Sequence, residues 1–185
     1  LREAILYAKQ RTQFERPIAS FGLIQKKLAE MAIRIYVVES MVYRTAGLLE
    51  RNVSGIDQEN EQAGLETAKG VEEYAVECSM NKVYASEALD YVADETVQIF
   101  GGYGYIADFP AERIYRDARV NRLFEGTNEI NRLLIPLTFL RRAQQGDEVQ
   151  LSHQDDLKQL FLVGLEIRED ADLFEDRQRQ VLRFV

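Results

Sequence analysis

The pentapeptide Phe-Glu-Gly-Thr-Asn at residues 124–128 carries the side chain best suited to chemistry in this chain. Glu125 stands between an aromatic residue and a glycine, just before an apolar-periodic segment that is typical of a helix. A carboxylate in such a turn can extend into a pocket as a general base, and Gly126 allows a ligand to approach the backbone closely. The competing interpretation is a helix start with an acidic first turn and a Thr or Asn cap. The pentapeptide alone favours the helix start, because acidic residues near helix starts are common.

Two further stretches between helical patterns carry groups that could bind an anion. Residues 11–18 read Arg-Thr-Gln-Phe-Glu-Arg-Pro-Ile, and an arginine there offers a forked donor for phosphate. Residues 98–104 read Gln-Ile-Phe-Gly-Gly-Tyr-Gly, a glycine-rich turn whose backbone N–H groups could face an anion or a sugar. Each stretch alone is more typical of an ordinary turn or a solvated arginine.

The composition excludes several classes of protein. The 185 residues carry a formal net charge of −8, so a basic surface for nucleic acid is not expected. Cys78 is the only cysteine, which excludes an internal disulfide and fits a reducing compartment. His153 is the only histidine, so a Ser-His-Asp triad is disfavoured and no metal site is expected. Because no run of about 18 apolar residues occurs, no transmembrane segment is expected.

The elements that must position these stretches are helices. Apolar residues recur at spacings of three and four, and no segment alternates with period two for long enough to predict a sheet. The pattern predicts an all-α fold, with a loop over 52–64, a turn over 101–105 and helices that begin at Leu1 and cover 21–51, 66–99, 110–119 and 128–142. Pro136 predicts a kink or an early end in the last helix. The two long helices favour an up-down four-helix bundle with antiparallel packing.

The chain divides into a bundle domain and a tail. We expect residues 1–143 to form the bundle and residues 144–185 to form a connector and the start of a helical C-terminal extension. The connector is polar over 145–151, and an amphipathic pattern follows from 152 to 185. The chain opens and closes inside helical patterns, which indicates a fragment excised from a larger protein.

Together, in this order and spacing, the three stretches resemble the C-terminal helical domain of the acyl-CoA dehydrogenase family. The resemblance covers residues 1 to about 143. The run Phe-Gly-Leu-Ile-Gln at 21–25, and a tail that continues past residue 150, are similar to the very-long-chain branch and its bacterial long-chain relatives. The resemblance implies a flavoprotein oxidoreductase of fatty acid β-oxidation. Such an enzyme uses FAD to convert an acyl-CoA thioester into a trans-2-enoyl-CoA.

The resemblance also implies roles for the pentapeptide. Glu125 matches the family's catalytic base, which removes the α proton, and its backbone N–H matches a donor to the thioester oxygen. Phe124, Glu125 and Gly126 match substrate-binding positions. The resemblance places FAD binding at eight residues, which are Arg11, Gln13, Phe14, Gln98, Gly101, Gly102, Thr127 and Glu129.

Some positions depart from the family's pattern. Many members have glycine in place of Glu15 and glutamine in place of Gly22. Glu129 stands where others often have Gln or Asp, and its carboxylate near a diphosphate would be repelled.

The resemblance implies partners and a location as well. The expected partners are fatty acyl-CoA, electron-transfer flavoprotein as electron acceptor, and further copies of the chain in a homodimer or a dimer of dimers. A bacterial cytoplasmic location is favoured over the mitochondrial matrix. The fragment alone is expected to be inactive and to bind FAD weakly at best, because the other domains complete the site. Two alternatives stay open, a non-catalytic helical assembly or docking module of the same family and an acyl-CoA oxidase.

Overall fold

The computed structural model describes residues 1–57 and 59–145. Six α-helices dominate this part of the chain, joined by one small hairpin and two short 3-10 helices. The helices are α1 (Arg2–Gln10), α2 (Gly22–Val53), α3 (Ala63–Glu72), α4 (Ala75–Phe100), α5 (Pro110–Val120) and α6 (Asn128–Gln145). The predicted all-α class is confirmed. The predicted connector and extension lie almost entirely outside the described residues, so the boundary at 143/144 stays a prediction.

The described residues divide into two units, Leu1–Asn128 and the residues from Glu129 to Gln145. In the first unit, α4 is central and contacts α1, α2 and α5. Met31 of α2 and Val92 of α4 lie in the buried core with Ala4 and Ala8 of α1. The two alanines of α1 are fully buried, because a small side chain lets this helix approach its neighbours closely.

The long helices α2 and α4 run antiparallel, as predicted. Three pairs of side chains show this direction, because the residue number on α4 falls as the number on α2 rises. Lys27 pairs with Glu95, the Arg34 guanidinium lies 3.9 Å from the Tyr91 ring centroid, and Asn81 Nδ2 donates to Thr45 Oγ1 at 2.8 Å.

The prediction of one continuous helix over 66–99 is wrong, since α3 and α4 are separate. In an uninterrupted helix the Tyr74 N–H would bond to the Gly70 carbonyl. Instead, Asn52 Nδ2 donates to that carbonyl at 2.8 Å, and the Tyr74 N–H donates to the Val71 carbonyl at 3.0 Å. The Asn52 side chain, near the end of α2, thus bonds to the carbonyl that a continuous helix would use.

Two smaller features also differ from the sequence expectations. Thr12–Gln13 (β1) and Arg16–Pro17 (β2) form an antiparallel hairpin that is too short to produce a period-two pattern. The predicted turn after α4 is a 3-10 helix, Gly101–Tyr105.

The second unit contains α6. This helix does not end early at Pro136 but continues through it. Of the described helices, none has an apolar stretch long enough to span a bilayer.

Candidate functional site

A groove of about 550 Å³ lies in the first unit, where the end of α1, the hairpin and the end of α4 meet. Arg11 and Gln13 line it from one side, and Gly101 and Gly102 line it from the other. The structure thus brings together four of the eight predicted cofactor residues, although the two pairs are almost ninety positions apart in the sequence. A groove of this volume is in the usual range for small-molecule sites.

Local backbone bonds fix Arg11 at the edge of the groove. Its N–H donates to the Tyr7 carbonyl at 2.8 Å, and its carbonyl accepts from the Ile18 N–H at 2.8 Å. The exposed guanidinium lies 5.6 Å from the centroid of the Tyr103 ring. Arg11 is therefore held at both backbone groups, and its side chain presents a cation beside the groove.

Aromatic rings form much of the groove wall. Tyr7 and Phe100 stack with their centroids 4.1 Å apart, and both line the groove. Phe109 packs behind them, 5.9 Å from Phe100 and 5.2 Å from Tyr103. A charged edge and an aromatic wall together suit a ligand that carries both an anionic group and a flat ring.

The glycines after α4 differ in whether a side chain would fit at their positions. A Cβ added to Gly102 would meet no atom within 4 Å, so nothing in the described structure requires glycine there. A Cβ on Gly104 would lie 2.7 Å from the Val97 carbonyl oxygen and 2.9 Å from Phe100 Cβ. Gly104 is therefore needed for packing, whereas Gly102 lines the groove and has open space around it.

The expectation that the N–H groups of this turn face an anion is wrong for Gly101. This residue ends α4 with φ 61°, and its N–H bonds to the carbonyls of Gln98 and Val97. Gln98 itself is exposed on the last turn of α4 and does not line the groove.

Phe14 lies on the hairpin turn, outside the groove lining. Phe14 and Glu15 both have positive φ, 50° and 63°, as the two central residues of a type I′ turn do. The Phe14 ring is 85% exposed and touches the structure through an edge-to-face contact with Phe21, at 6.1 Å between centroids. An aromatic ring this exposed is available for a partner or a ligand.

Glu125 lies in the loop between α5 and α6. The interpretation of the pentapeptide as a helix start applies only to its last residue, because α6 begins at Asn128. Glu125 and Gly126 have φ of 55° and 79°, and both are exposed, while Phe124 is 43% exposed. Within residues 1–57 and 59–145, the Glu125 N–H has no hydrogen-bond partner. The loop thus presents a carboxylate and an amide hydrogen together.

Of the two remaining predicted residues, Thr127 is half-buried and follows Gly126, and Glu129 lies in the first turn of α6. Glu129 belongs to the second unit. Among the described residues, none of Glu125, Thr127 and Glu129 lines the groove.

Sequence reasoning missed the residues that hold this loop. Lys82 Nζ lies 2.7 Å from the Gly126 carbonyl oxygen and 2.7 Å from Asn128 Oδ1. Asn128 is 2% exposed, and its Nδ2 donates to Ser86 Oγ at 2.9 Å. Lys82 and Ser86 are four residues apart on α4, a spacing that places two polar residues on one helix face. That spacing was the available signal.

A second cleft of about 400 Å³ lies between the 3-10 helix and α5, and the sequence did not indicate it. Tyr105, Tyr115, Arg116 and Arg119 line it. Arg116 pairs with Glu112 at 3.5 Å. No group of three or more metal-ligating side chains occurs in the described part of the chain.

The comparisons with known proteins agree with this architecture. The sequence pattern of the acyl-CoA dehydrogenase C-terminal domain matches residues 1–137. The chain is 53% identical over 159 residues to a protein of Bacillus subtilis (strain 168) named Probable acyl-CoA dehydrogenase, which covers 84% of this chain and 27% of that protein. The human very long-chain specific acyl-CoA dehydrogenase, mitochondrial, is 39% identical over 137 residues, covering 74% of this chain and 18% of that protein.

A solved structure is also similar. The acyl-CoA dehydrogenase of Bacillus anthracis, crystallised as a complex with FAD, superimposes with a TM-score of 0.75 at 57% identity. The match covers 77% of this chain and 24% of that one. The match therefore places residues 1–137 in the C-terminal domain of a flavoenzyme family. The chain belongs to the acyl-CoA dehydrogenase family. It spans about a quarter of the length of its Bacillus relatives.

Proposed function

We propose that this chain is the C-terminal helical part of an FAD-dependent acyl-CoA dehydrogenase that acts on fatty acyl-CoA, with Glu125 as the α-proton base. The observation that carries the proposal is the loop at Glu125, where an exposed carboxylate and an unpartnered amide hydrogen come from the same residue. Family membership supports it. The human very long-chain relative supports a long-chain substrate.

The groove fits part of FAD. Arg11 supplies a cation for the diphosphate, Gln13 an amide, and the open side of Gly102 gives room for a ligand against the backbone. Bound FAD would supply the acceptor for the β hydrogen of the substrate, which leaves as hydride. The Bacillus anthracis relative in complex with FAD supports this assignment. Phe14, Gln98, Thr127 and Glu129 stay proposed contacts, and a subunit partner or another domain would have to bring FAD to them.

The chemistry required of Glu125 explains its position in a turn. The α hydrogen of a thioester is too weakly acidic for a free carboxylate, so the negative charge that develops on the thioester oxygen must be stabilised. The Glu125 N–H can donate to that oxygen while the carboxylate of the same residue takes the proton. The turn at Gly126 keeps the backbone narrow beside the substrate.

The test is Glu125→Gln in the full-length parent protein loaded with FAD. The amide keeps the size and polarity of the side chain but cannot accept the proton. We expect FAD content and acyl-CoA affinity to stay close to those of the unsubstituted protein, while kcat falls by about 10²- to 10⁴-fold. Glu39→Gln is the matched control, because Glu39 is exposed on α2 and its side chain makes no hydrogen bond or ion pair within the described residues. Near-normal turnover by Glu125→Gln would remove Glu125 as the base.

Self-association and electron-transfer flavoprotein as acceptor are part of the same proposal. Ile33, Tyr36 and Tyr43 follow one another on α2 at spacings of three and seven residues and are 61%, 71% and 76% exposed. A row of large exposed apolar side chains on one helix face favours contact with another copy. The Bacillus relatives support a bacterial source, and a cytoplasmic location is proposed on that basis.

A further inference from the structure

We propose that Lys82 is the positioning residue for Glu125, holding the loop after α5 in the conformation that presents the carboxylate. The proposal rests on the proposed role of Glu125 as base. Lys82 is on α4, more than forty positions from the loop in sequence, and the sequence analysis did not assign it a role.

The contacts of Lys82 are with the backbone of the loop and with the residue that ends it. Its Nζ is 2.7 Å from the Gly126 carbonyl oxygen and 2.7 Å from Asn128 Oδ1. Two acceptors on either side of Thr127 therefore share one ammonium group. A cation bonded to two oxygens makes stronger hydrogen bonds than a neutral donor would.

The bond to Gly126 sets the orientation of a peptide plane. Because a peptide is planar and trans, the Gly126 carbonyl that faces Lys82 directs the following Thr127 N–H the opposite way. Glu125, with φ 55°, is in the left-handed region, which an L residue adopts uncommonly and at an energetic cost. Gly126, with φ 79°, continues that bend. Lys82 thus anchors the loop one residue beyond the strained position.

The far end of the loop is anchored by the same group of side chains. Asn128 is buried, and its Nδ2 donates to Ser86 Oγ at 2.9 Å and to Glu87 Oε1 at 3.2 Å. The Asn128 N–H donates to the Arg122 carbonyl at 3.2 Å, which closes the loop on itself. Side chains of α4 thus engage both the nitrogen and the oxygen of the Asn128 amide, and Lys82 also bonds to the Gly126 carbonyl within the loop.

The experiment uses the full-length parent protein with FAD bound and compares Lys82→Met, Lys82→Gln and the exposed-lysine control Lys69→Met. Methionine keeps the length of the side chain and removes the donors, whereas glutamine keeps neutral donors. We expect kcat to fall about 10- to 100-fold for Lys82→Met, as for a reacting group misplaced by about 1 Å, and less for Lys82→Gln. KM and FAD content should stay within about threefold, since the groove is not disturbed.

Chemical rescue separates positioning from packing. In Lys82→Ala, added n-propylammonium should raise kcat by a factor of about ten or more, because it occupies the space that the lysine side chain vacated. Propanol of similar size should restore nothing, because it lacks the charge. A role in packing alone would give the same response to both additives.

Three outcomes would overturn the proposal. The first is a kcat for Lys82→Met within about threefold of the unsubstituted protein. The second is equal rescue of Lys82→Ala by propanol. The third is loss of FAD in both Lys82→Met and Lys82→Gln, which would show that Lys82 serves the stability of the protein instead. Glu125→Gln is measured in parallel. If it is inactive while Lys82→Met is normal, only the positioning role fails, and if both are active, the role of Glu125 fails as well.

Discussion

Gly102 and Gly104, two positions apart in the 3-10 helix after α4, should respond to alanine in opposite ways. A methyl group on Gly104 would lie 2.7 Å from the Val97 carbonyl oxygen and 2.9 Å from Phe100 Cβ. Both atoms are part of or next to the α4 backbone and cannot rotate away. Gly104→Ala should therefore destabilise the protein, whereas Gly102→Ala should not, because its methyl group would meet no atom within 4 Å.

The magnitudes follow from these contacts. Overpacking of this kind costs about 1–3 kcal/mol, which lowers the apparent unfolding temperature of a domain this size by about 3–9 °C. Gly102→Ala introduces no steric clash in the folded state and reduces the conformational entropy of the unfolded chain. The free energy of unfolding should therefore be unchanged or higher by about 0.4–1 kcal/mol. If FAD binds in the groove as proposed, the cost appears there instead, where a methyl group that crowds FAD by a similar 1–3 kcal/mol weakens binding about 5- to 150-fold.

The assay is a thermal melt of the apoprotein, followed by circular dichroism, together with FAD titration of the full-length parent protein by flavin fluorescence. Gly104→Ala should lower the unfolding temperature. Gly102→Ala should leave the unfolding temperature unchanged or higher but should weaken FAD binding. Unchanged FAD affinity in Gly102→Ala would refute the assignment of the groove. An unchanged melt for Gly104→Ala would refute the described packing of the 3-10 helix on α4.

Two further predictions concern the hairpin and the cysteine. Glu15 has φ 63° on a turn that favours glycine. Glu15→Gly should therefore raise the apparent unfolding temperature by about 1–3 °C, and Glu15→Val should lower it. Equal unfolding temperatures for the two variants would contradict the left-handed conformation of Glu15. Burial raises the pKa of the Cys78 thiol and the charge of Glu77 raises it further. The reactive thiolate should therefore form at higher pH than in a free peptide, so the pH–rate midpoint of iodoacetamide alkylation should lie above that of a cysteine peptide and move down in Glu77→Gln. A midpoint at or below that of the peptide would contradict the effects assigned to partial burial and to Glu77.

The helices could be predicted because each carries its own signal. The apolar spacing over 21–51 predicted α2 within two residues, and Pro110 marked the start of α5. The break between α3 and α4 could not be predicted, because the group that bonds to the Gly70 carbonyl in place of the Tyr74 N–H is the side chain of Asn52, from a distant segment. No local pattern encodes a contact that forms only when two distant segments pack together.

The residues of the candidate site likewise fall into those that the sequence could predict and those that it could not. Arg11 and Gly102 were singled out by residue type and by resemblance, and the structure places both on one groove. Lys82 was missed because a lysine on a helix is ordinarily a solvated charge, and only the folded loop brings the Gly126 carbonyl to it. Sequence reasoning found residues proposed to meet a ligand, but it did not find the lysine that bonds to the loop beside Glu125.

The measurement that tests the central claim most directly is the rate of flavin reduction when acyl-CoA is mixed anaerobically with FAD-loaded Glu125→Gln parent protein. A single turnover followed by the loss of flavin colour isolates proton and hydride removal from product release. The proposed role predicts that acyl-CoA still binds and that the flavin is reduced about 10²- to 10⁴-fold more slowly than in the unsubstituted protein and in Glu39→Gln. Flavin reduction at an unchanged rate would show that another group takes the α proton.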